Sequence, residues 1–355
     1  MVKYPRMNID LQKLRSNAQL LIDLCLKSKA TVGFVTKVFG GDSKLIEAID
    51  DLDFAFYADS RLINLNRFKT NKPKLLIRLP SISEAKETVE VADISLNSEI
   101  ATLKALNDES VKLGKKHSVV LMIDIGDLRE GIFYKDTAAI NEAIAYIINS
   151  KGLNLYGIGA NLTCYGSIIP TVETMTKLVD EKKRIEKAFN IKIGILSGGN
   201  SSAIPMLFKG EMPEDVNNFR FGESLIRGVE TVDGNKIDGA FDDVVTLTAE
   251  VIELKEKPSM PEGKRGKNAF GEVIEYVDEG IMKRAICAIG MQDIEVDGLT
   301  PIDKDIKIIG ASSDHLLLNV NKIKDIAVGS KVMFYLNYAA TMRAFTSEYV
   351  GRKYY

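Results

Sequence analysis

The sequence predicts a (β/α)8 barrel joined to an all-β domain, and three observations carry that reading. Eight short apolar runs recur in the first 230 of the 355 residues, without the alternation of a half-exposed strand, as parallel strands buried on both faces require. Between them lie segments with apolar residues at helical spacing. After Glu230 the pattern changes to alternating strands broken by turn signals.

The runs are TVGFVTKV from Thr31, DFAFYA from Asp53, KLLIRL from Lys74, VADISL from Val91, SVVLMIDIG from Ser118, LYGIGANL from Leu155, IKIGILSGG from Ile191 and FRFGESL from Phe219. The helical segments include DSKLIEAIDD, DSRLINLNRF, SEIATLKALNDESVKLG, NEAIAYIINS and VETMTKLVDEKKRIEKAF, several of them opened by Asp, Ser or Thr, residues that cap a helix. Eight such units place a barrel over residues 1–230, with an open doubly wound sheet as the rival arrangement. Residues 231–355 form the β domain, entered through the polar turn Thr231 to Asn235 and built on VVTLTAEVIEL, RAICAIG, IKIIGASSDHLLLNV and SKVMFYLNY. Lys255 to Asn268 reads as a charged loop.

Charge and composition narrow the chemistry. The 47 basic and 49 acidic residues nearly cancel, with no dense basic run interleaved with aromatics, so neither nucleic acid nor an anionic membrane is expected as a partner. The first residues, MVKYPRMNIDLQKL, lack the apolar stretch of a signal peptide, and no run approaches a membrane span; a cytoplasmic protein acting on a small molecule is the expectation. Three dispersed cysteines, Cys25, Cys164 and Cys287, speak against a disulfide framework, and with only His117 and His315 no metal site is expected.

Barrel enzymes work at the C-terminal ends of their strands. Lys37, in FVTKVFGGD, ends the first apolar run in that position. Held in apolar surroundings, a lysine gives up its proton more readily, and the free amine can attack a carbonyl. The alternative is a lysine that reaches the rim or pairs with Asp42 or Asp59. Downstream, the SGGNSS loop after the seventh run and Arg220-Phe221-Gly222-Glu223 at the eighth stand where such barrels bind phosphate.

An N-terminal lysine strand, an SGGNSS loop and RFGESLIRG, followed by a β domain, resemble the alanine racemase-like, fold-type III enzymes that use pyridoxal 5′-phosphate. VTKVFGGD, GIGANLTCYG, SGGNSS and NAFGE resemble the ornithine racemase branch of that family. The resemblance implies that Lys37 holds the cofactor as a Schiff base and carries a proton on one face of the substrate. It implies further that Asn161 packs against the cofactor ring and that Ser197, Asn200, Ser201, Gly222 and Glu223 line the phosphate. Arg220 falls at the position that contacts the pyridine nitrogen; its alternative is a surface pair with Glu223 or Asp215. Arg352 and Tyr354 match a C-terminal Arg-x-Tyr whose tyrosine lies near the active-site mouth. Homodimers with shared sites and an amino-acid substrate are implied as well.

Three departures accompany the match. Arg129 matches an arginine near the substrate carboxylate, but Met122 stands where alanine racemases have a lysine. Gly41 replaces their phosphate-binding tyrosine, and Phe270 replaces the tyrosine that serves as the opposite-face base. Ser313, with Cys164 as the alternative, is the candidate for that proton, and Asp314 for contact with a distal ammonium. The expected function is racemisation of a basic amino acid, ornithine foremost; a decarboxylase of a basic amino acid and a non-catalytic pyridoxal phosphate carrier are the rivals.

Overall fold

The fold is known from a computed structural model that describes residues 3–355 other than 269 and 272. The chain divides into two compact units, Leu11–Asp242 and Met1–Asp10 with Asp243–Tyr355. Strand β1 (Arg6–Ile9) belongs to the second unit and is described with it.

The first unit is the barrel. Strands β2 (Thr31–Val35), β3 (Phe56–Asp59), β4 (Lys74–Leu76), β5 (Ile94–Asn97), β6 (His117–Asp124), the short β7 (Ile132–Phe133), β8 (Leu153–Gly159), β9 (Ile195–Ser197) and β10 (Asn218–Phe221) occur in that order. All pair in parallel, and the β10–β2 and β5–β6 ladders close eight of them into a ring, with β7 pairing outside it on β6. Side chains cap three of the helices, with Asp42 Oδ1 accepting from Lys44 N at 3.0 Å, Asp136 Oδ1 from Ala139 N at 3.0 Å and Thr171 Oγ1 from Thr174 N at 3.2 Å, whereas the segments opened by Asp59 and Ser98 start at Leu62 and Ile100 with no side-chain cap.

The barrel interior is divided. Strands β2 to β6 fill their side with Val35, Phe56, Ala58, Leu75, Ile94, Leu96, Val120 and Met122. The side made by β8 to β10 carries Ser197, Asn218 and Arg220. Gly33 lies level with Arg220 in the β2–β10 register, and a Cβ there would collide with the Phe56 ring. That glycine leaves room for an aromatic ring inside the barrel.

The second unit is an antiparallel sheet built from β11 (Val245–Pro258), β12 (Ile281–Cys287), β13 (Leu299–Pro301), β14 (Lys307–Ala311), β15 (Leu316–Asn319) and β16 (Lys331–Leu336), in the spatial order β13-β16-β11-β12-β15-β14. β1 adds antiparallel to β11, and β17 (Gly351–Tyr354) adds parallel to β1. Along β16, exposed Lys331, Met333 and Tyr335 alternate with buried Val332, Phe334 and Leu336, the pattern of a sheet with one covered face.

One buried titratable group ties barrel stability to pH. His117, the first residue of β6, is 1 % exposed, with Nε2 2.7 Å from Ser95 Oγ. Burial lowers its pKa from 6.5 to about 4, against smaller opposing contributions from the Ala92 backbone and the Asp93 charge. The unfolded chain therefore takes up this proton first as the pH falls. The stabilisation is complete above about pH 6.5 and is lost progressively toward pH 4, amounting to about 3 kcal/mol. Urea unfolding at about pH 7 and about pH 4.5 should show a smaller acid loss in His117→Gln than in the natural chain. Equal losses would place the acid sensitivity elsewhere.

Candidate active site

The barrel mouth begins at Lys37. β2 stops at Val35, two residues short of the lysine, because Thr36 turns into the α region (φ −86°, ψ −4°) and opens a single 3-10 turn over Lys37–Phe39. Asp59 holds that turn: its fully buried carboxylate accepts from Thr36 Oγ1 at 2.6 Å, Arg61 N at 2.9 Å and Asn64 Nδ2 at 3.0 Å. Burial raises the Asp59 pKa and these bonds oppose the rise. Gly40 and Gly41 turn the chain with φ of +59° and +67°, and Arg67 Nη1 donates to Gly40 O at 2.8 Å. A side chain at Gly41 would run into the Asn64 backbone, so no tyrosine fits there in this packing. Half-buried Lys37 is thus held on a turn that β3 and the segment after it fix in place.

Arg220 lies inside the barrel and is 3 % exposed. The surface pairing with Glu223 or Asp215 does not occur: Glu223 is bonded to Arg227 at 2.5 Å and Asp215 to Lys182 at 2.9 Å. The Arg220 guanidinium instead donates to Ser197 Oγ, to Ala160 O at 3.0 Å and to Asn161 Oδ1 at 2.8 Å. Asn161 Nδ2 in turn donates to Glu130, which pairs with Arg129. Burial lowers the Arg220 pKa to about 10, with the Glu130 charge working against the shift, and the group stays protonated at neutral pH. For Arg129 burial would lower the pKa, but the bond to Glu130 and its charge outweigh it and raise it.

The loops after β6 and β8 are tied together by Asp127, which is 1 % exposed. Its carboxylate accepts from the backbone N–H of Cys164 at 3.2 Å, Tyr165 at 3.0 Å and Ile168 at 3.2 Å, and its carbonyl accepts from Gly166 N at 2.9 Å. Leu128, Thr163 and Ser167 take φ of +57°, +59° and +55°, strained values for residues with a Cβ. Asn200 joins the assembly from the loop after β9, donating to Leu162 O at 3.0 Å and Cys164 Sγ at 3.2 Å and accepting from Ser202 N at 2.8 Å. Its amide is committed on both sides.

Ser201 Oγ lies 3.0 Å from Ser224 Oγ, bringing the SGGNSS loop to the helix Glu223–Arg227. The Glu223 carboxylate is engaged by Arg227. At Gly199 (φ +106°) a Cβ would meet only Ala160 O, at 3.6 Å, so there is open space beside that residue, while Gly198 N–H is bonded to Asn218 O and Ser202 N–H to Asn200 Oδ1. Hydroxyls and open space beside a guanidinium fit a phosphorylated heterocycle.

Ser313, Asp314 and Tyr354 lie on the second unit. Asp314 Oδ1 accepts from Ser312 Oγ and Ser313 Oγ, each at 3.2 Å, and lies 3.1 Å from His315 Nδ1. Desolvation would raise the Asp314 pKa; the Ser312 hydroxyl, the His315 charge and Ser313 outweigh it and lower the pKa. The backbone of Ser313 and Asp314 packs on Gly290, where no Cβ fits. Tyr354 stands opposite Ile9 in the β17–β1 ladder. Phe270 is exposed, its N–H bonded to Asn268 Oδ1 at 2.9 Å.

Sequence reasoning missed Asp127 and Glu130, and it named Asp59 only as a possible partner of Lys37, not as the residue that holds the Thr36 turn. The one local signal was the adjacent Arg129-Glu130 pair in the loop after the fifth apolar run, which reads like any surface pair. Among the described residues no group of three or more His, Cys, Asp or Glu is placed to hold a metal ion. No helix of the described residues is long and apolar enough to cross a membrane.

A profile of the alanine racemase N-terminal domain matches residues 9–228. The chain is 43 % identical over 352 residues to the ornithine racemase of Acetoanaerobium sticklandii, covering 99 % of both chains. It is 38 % identical over 354 residues to the lysine racemase of Thermotoga maritima, covering 99 % and 98 %. Among solved structures, the alanine racemase of Streptomyces coelicolor superposes with a TM-score of 0.78 at 15 % identity, covering 98 % of this chain and 97 % of that one. The alanine racemase of Bartonella henselae with covalently bound pyridoxal phosphate does so at 0.75 and 15 %, covering 100 % of each.

Cys25 and Cys287 are buried, and burial raises both thiols to a pKa of about 12. Cys164 is exposed as a residue, yet neighbours shield its thiol enough that burial raises its pKa, with Arg129 and Lys37 opposing. A disulfide reagent should therefore modify one thiol rapidly in the folded protein and all three on unfolding, and Asp127→Ala, which frees the loop, should speed the first by several-fold. An unchanged rate would show that Asp127 does not hold Cys164.

Proposed function

This chain belongs to the alanine racemase family, and we propose that it is a pyridoxal 5′-phosphate-dependent racemase that interconverts the L and D forms of a basic amino acid, ornithine foremost. The observation that carries the reading is the protonated Arg220 inside the barrel, beside the loop of hydroxyls. When bound, pyridoxal phosphate supplies an electron sink that acidifies the α-proton of an amino acid joined to it. The residues of this chain do the rest.

Lys37 holds the cofactor through its amine and carries a proton to and from the α-carbon on one face. Arg220 would donate a hydrogen bond toward the ring nitrogen and, keeping its own proton, would moderate the sink so that return of the α-proton is favoured. Ser201 and the N–H groups of Asn200, Gly222 and Glu223 hold the phosphate, Ser197 supports Arg220 from below, and Arg129 presents its guanidinium to the substrate carboxylate. The opposite-face proton is carried by Ser313 or Cys164, since Phe270 has no ionisable group. Asp314 meets the distal ammonium, and Tyr354 lies at the mouth of a site shared within a homodimer in the cytoplasm. Arg220 speaks against the decarboxylase alternative, in which a carboxylate would keep the ring nitrogen protonated. The second unit, which a lone-barrel carrier protein lacks, speaks against the carrier reading.

Borohydride reduction of the cofactor-loaded protein should label Lys37, and chiral analysis with ornithine, lysine, arginine, alanine and serine should show the fastest racemisation with ornithine. A label on another lysine, or turnover confined to alanine, overturns the reading.

The role of Asp314 predicts a substrate-selective loss. A charged hydrogen bond contributes about 1.5–3 kcal/mol, so Asp314→Asn should lower kcat/KM for ornithine by roughly ten- to a hundredfold. Alanine, with no distal charge, should be little affected. An equal loss for both amino acids would make Asp314 a turn residue only.

A further inference from the structure

The Arg129-Glu130 pair has a geometry that the family resemblance does not assign. Met122, fully buried in the apolar half of the interior, offers Arg129 no charge. Glu130 supplies it from the next residue in the chain, engaging Arg129 at two points: Oε2 on Nε, and Oε1 on Nη2 at 2.5 Å. The Glu130 side chain is 13 % exposed against 43 % for Arg129, so the acid is the anchored partner and the guanidinium faces outward. Side-on pairing through Nε and Nη2 leaves the Nη1 edge of the fork for a second carboxylate.

Glu130 Oε1 also accepts from Asn161 Nδ2, and Asn161 Oδ1 accepts from Arg220 Nη2 at 2.8 Å. An acceptor-only carboxylate on one side and a donor-only guanidinium on the other permit one orientation of that amide. The amide transmits orientation without transmitting charge. Arg220 is thereby held by Glu130 at one remove, ordered but not paired directly with it.

We propose that Glu130 is a positioning residue: one carboxylate presets the Arg129 guanidinium as a carboxylate-binding fork and, through the Asn161 amide, fixes the Arg220 guanidinium toward the barrel mouth. The functional consequence rests on the racemase reading above, whereas the chain of contacts does not. Both are tested with Glu130→Gln, which removes the charge and keeps the size.

In protein labelled with 15N at arginine and asparagine, without added cofactor, the Arg129 Nε proton and the Asn161 side-chain amide should exchange slowly with solvent. In Glu130→Gln both should exchange several-fold faster and the Arg220 Nε resonance should move, while Glu130→Asp restores part of the protection. Asn161→Ala is the second variant, needed if Glu130→Gln does not fold; it should move the Arg220 signal and leave that of Arg129. In the loaded enzyme, Glu130→Gln should raise KM for the amino acid by about tenfold, more than it lowers kcat. Arg129→Lys should then cost less in that background than in the natural chain. Signals of Arg129, Asn161 and Arg220 that stay put in Glu130→Gln, an Arg220 signal unmoved by Asn161→Ala, or fold-changes that multiply independently would overturn the proposal. If the natural chain neither binds pyridoxal phosphate nor racemises, the functional reading fails, and the resonance measurements still decide the role of Glu130.

Discussion

A donor-only guanidinium inside the barrel sets the direction of every polar contact around it. Arg220 can only give hydrogen bonds, so the Ser197 hydroxyl that receives one turns its own proton to Asn218 Oδ1 at 2.9 Å, and Asn218 Nδ2 then donates to Thr31 Oγ1 at 3.0 Å. On the other arm the order runs through Asn161 to Glu130. Each member has one allowed orientation because the arginine at the centre has one. Such a chain is stable only when complete, since a buried polar group left unpaired costs about 1–3 kcal/mol.

The division of the interior follows from this requirement. A buried charge needs hydrogen-bonding neighbours on its own and adjacent strands, and β8 to β10 supply them. The other strands fill their side with apolar side chains, down to the Phe56 ring seated over Gly33. Inside the barrel, apolar packing is concentrated on one side and buried polar contacts on the other, while the mouth draws on both, with Lys37 after β2 and Arg129 after β6. The strained backbone at Leu128, Thr163 and Ser167 lies in the loops after β6 and β8, where the Asp127 hydrogen bonds hold conformations that a free loop would leave.

Much of this was legible in the sequence, and what was not has physical causes. The barrel could be read because strands buried on both faces form continuous apolar runs; Lys37 stood out as a charge at the end of such a run, and Arg220 through the resemblance to fold-type III enzymes. The end of β2 could not be read: Thr36 leaves the strand because Asp59, 23 residues away, receives its hydroxyl. Nor could the pairing of β1 with β11, since Arg6 meets Thr248 across more than half the chain and no local pattern records so distant a partner. Asn200 looked like an anion ligand from its SGGNSS setting, but both ends of its amide are taken by the loop after β8 and by its own turn. Glu130 was hidden for the opposite reason: an acid next to an arginine in sequence is so common that only burial sets this one apart.

The Asp127 clasp bears on how this site changes over generations. Its carboxylate comes from the loop after β6 and the three N–H groups it serves come from the loop after β8. Exchange of one loop alone for a sequence lacking the matching partner would strand either a buried carboxylate or its three donors, so a change in one loop calls for a matching change in the other. New side-chain preferences at this end of the barrel should therefore arise through matched replacements in both loops, more than a hundred bases apart in the gene.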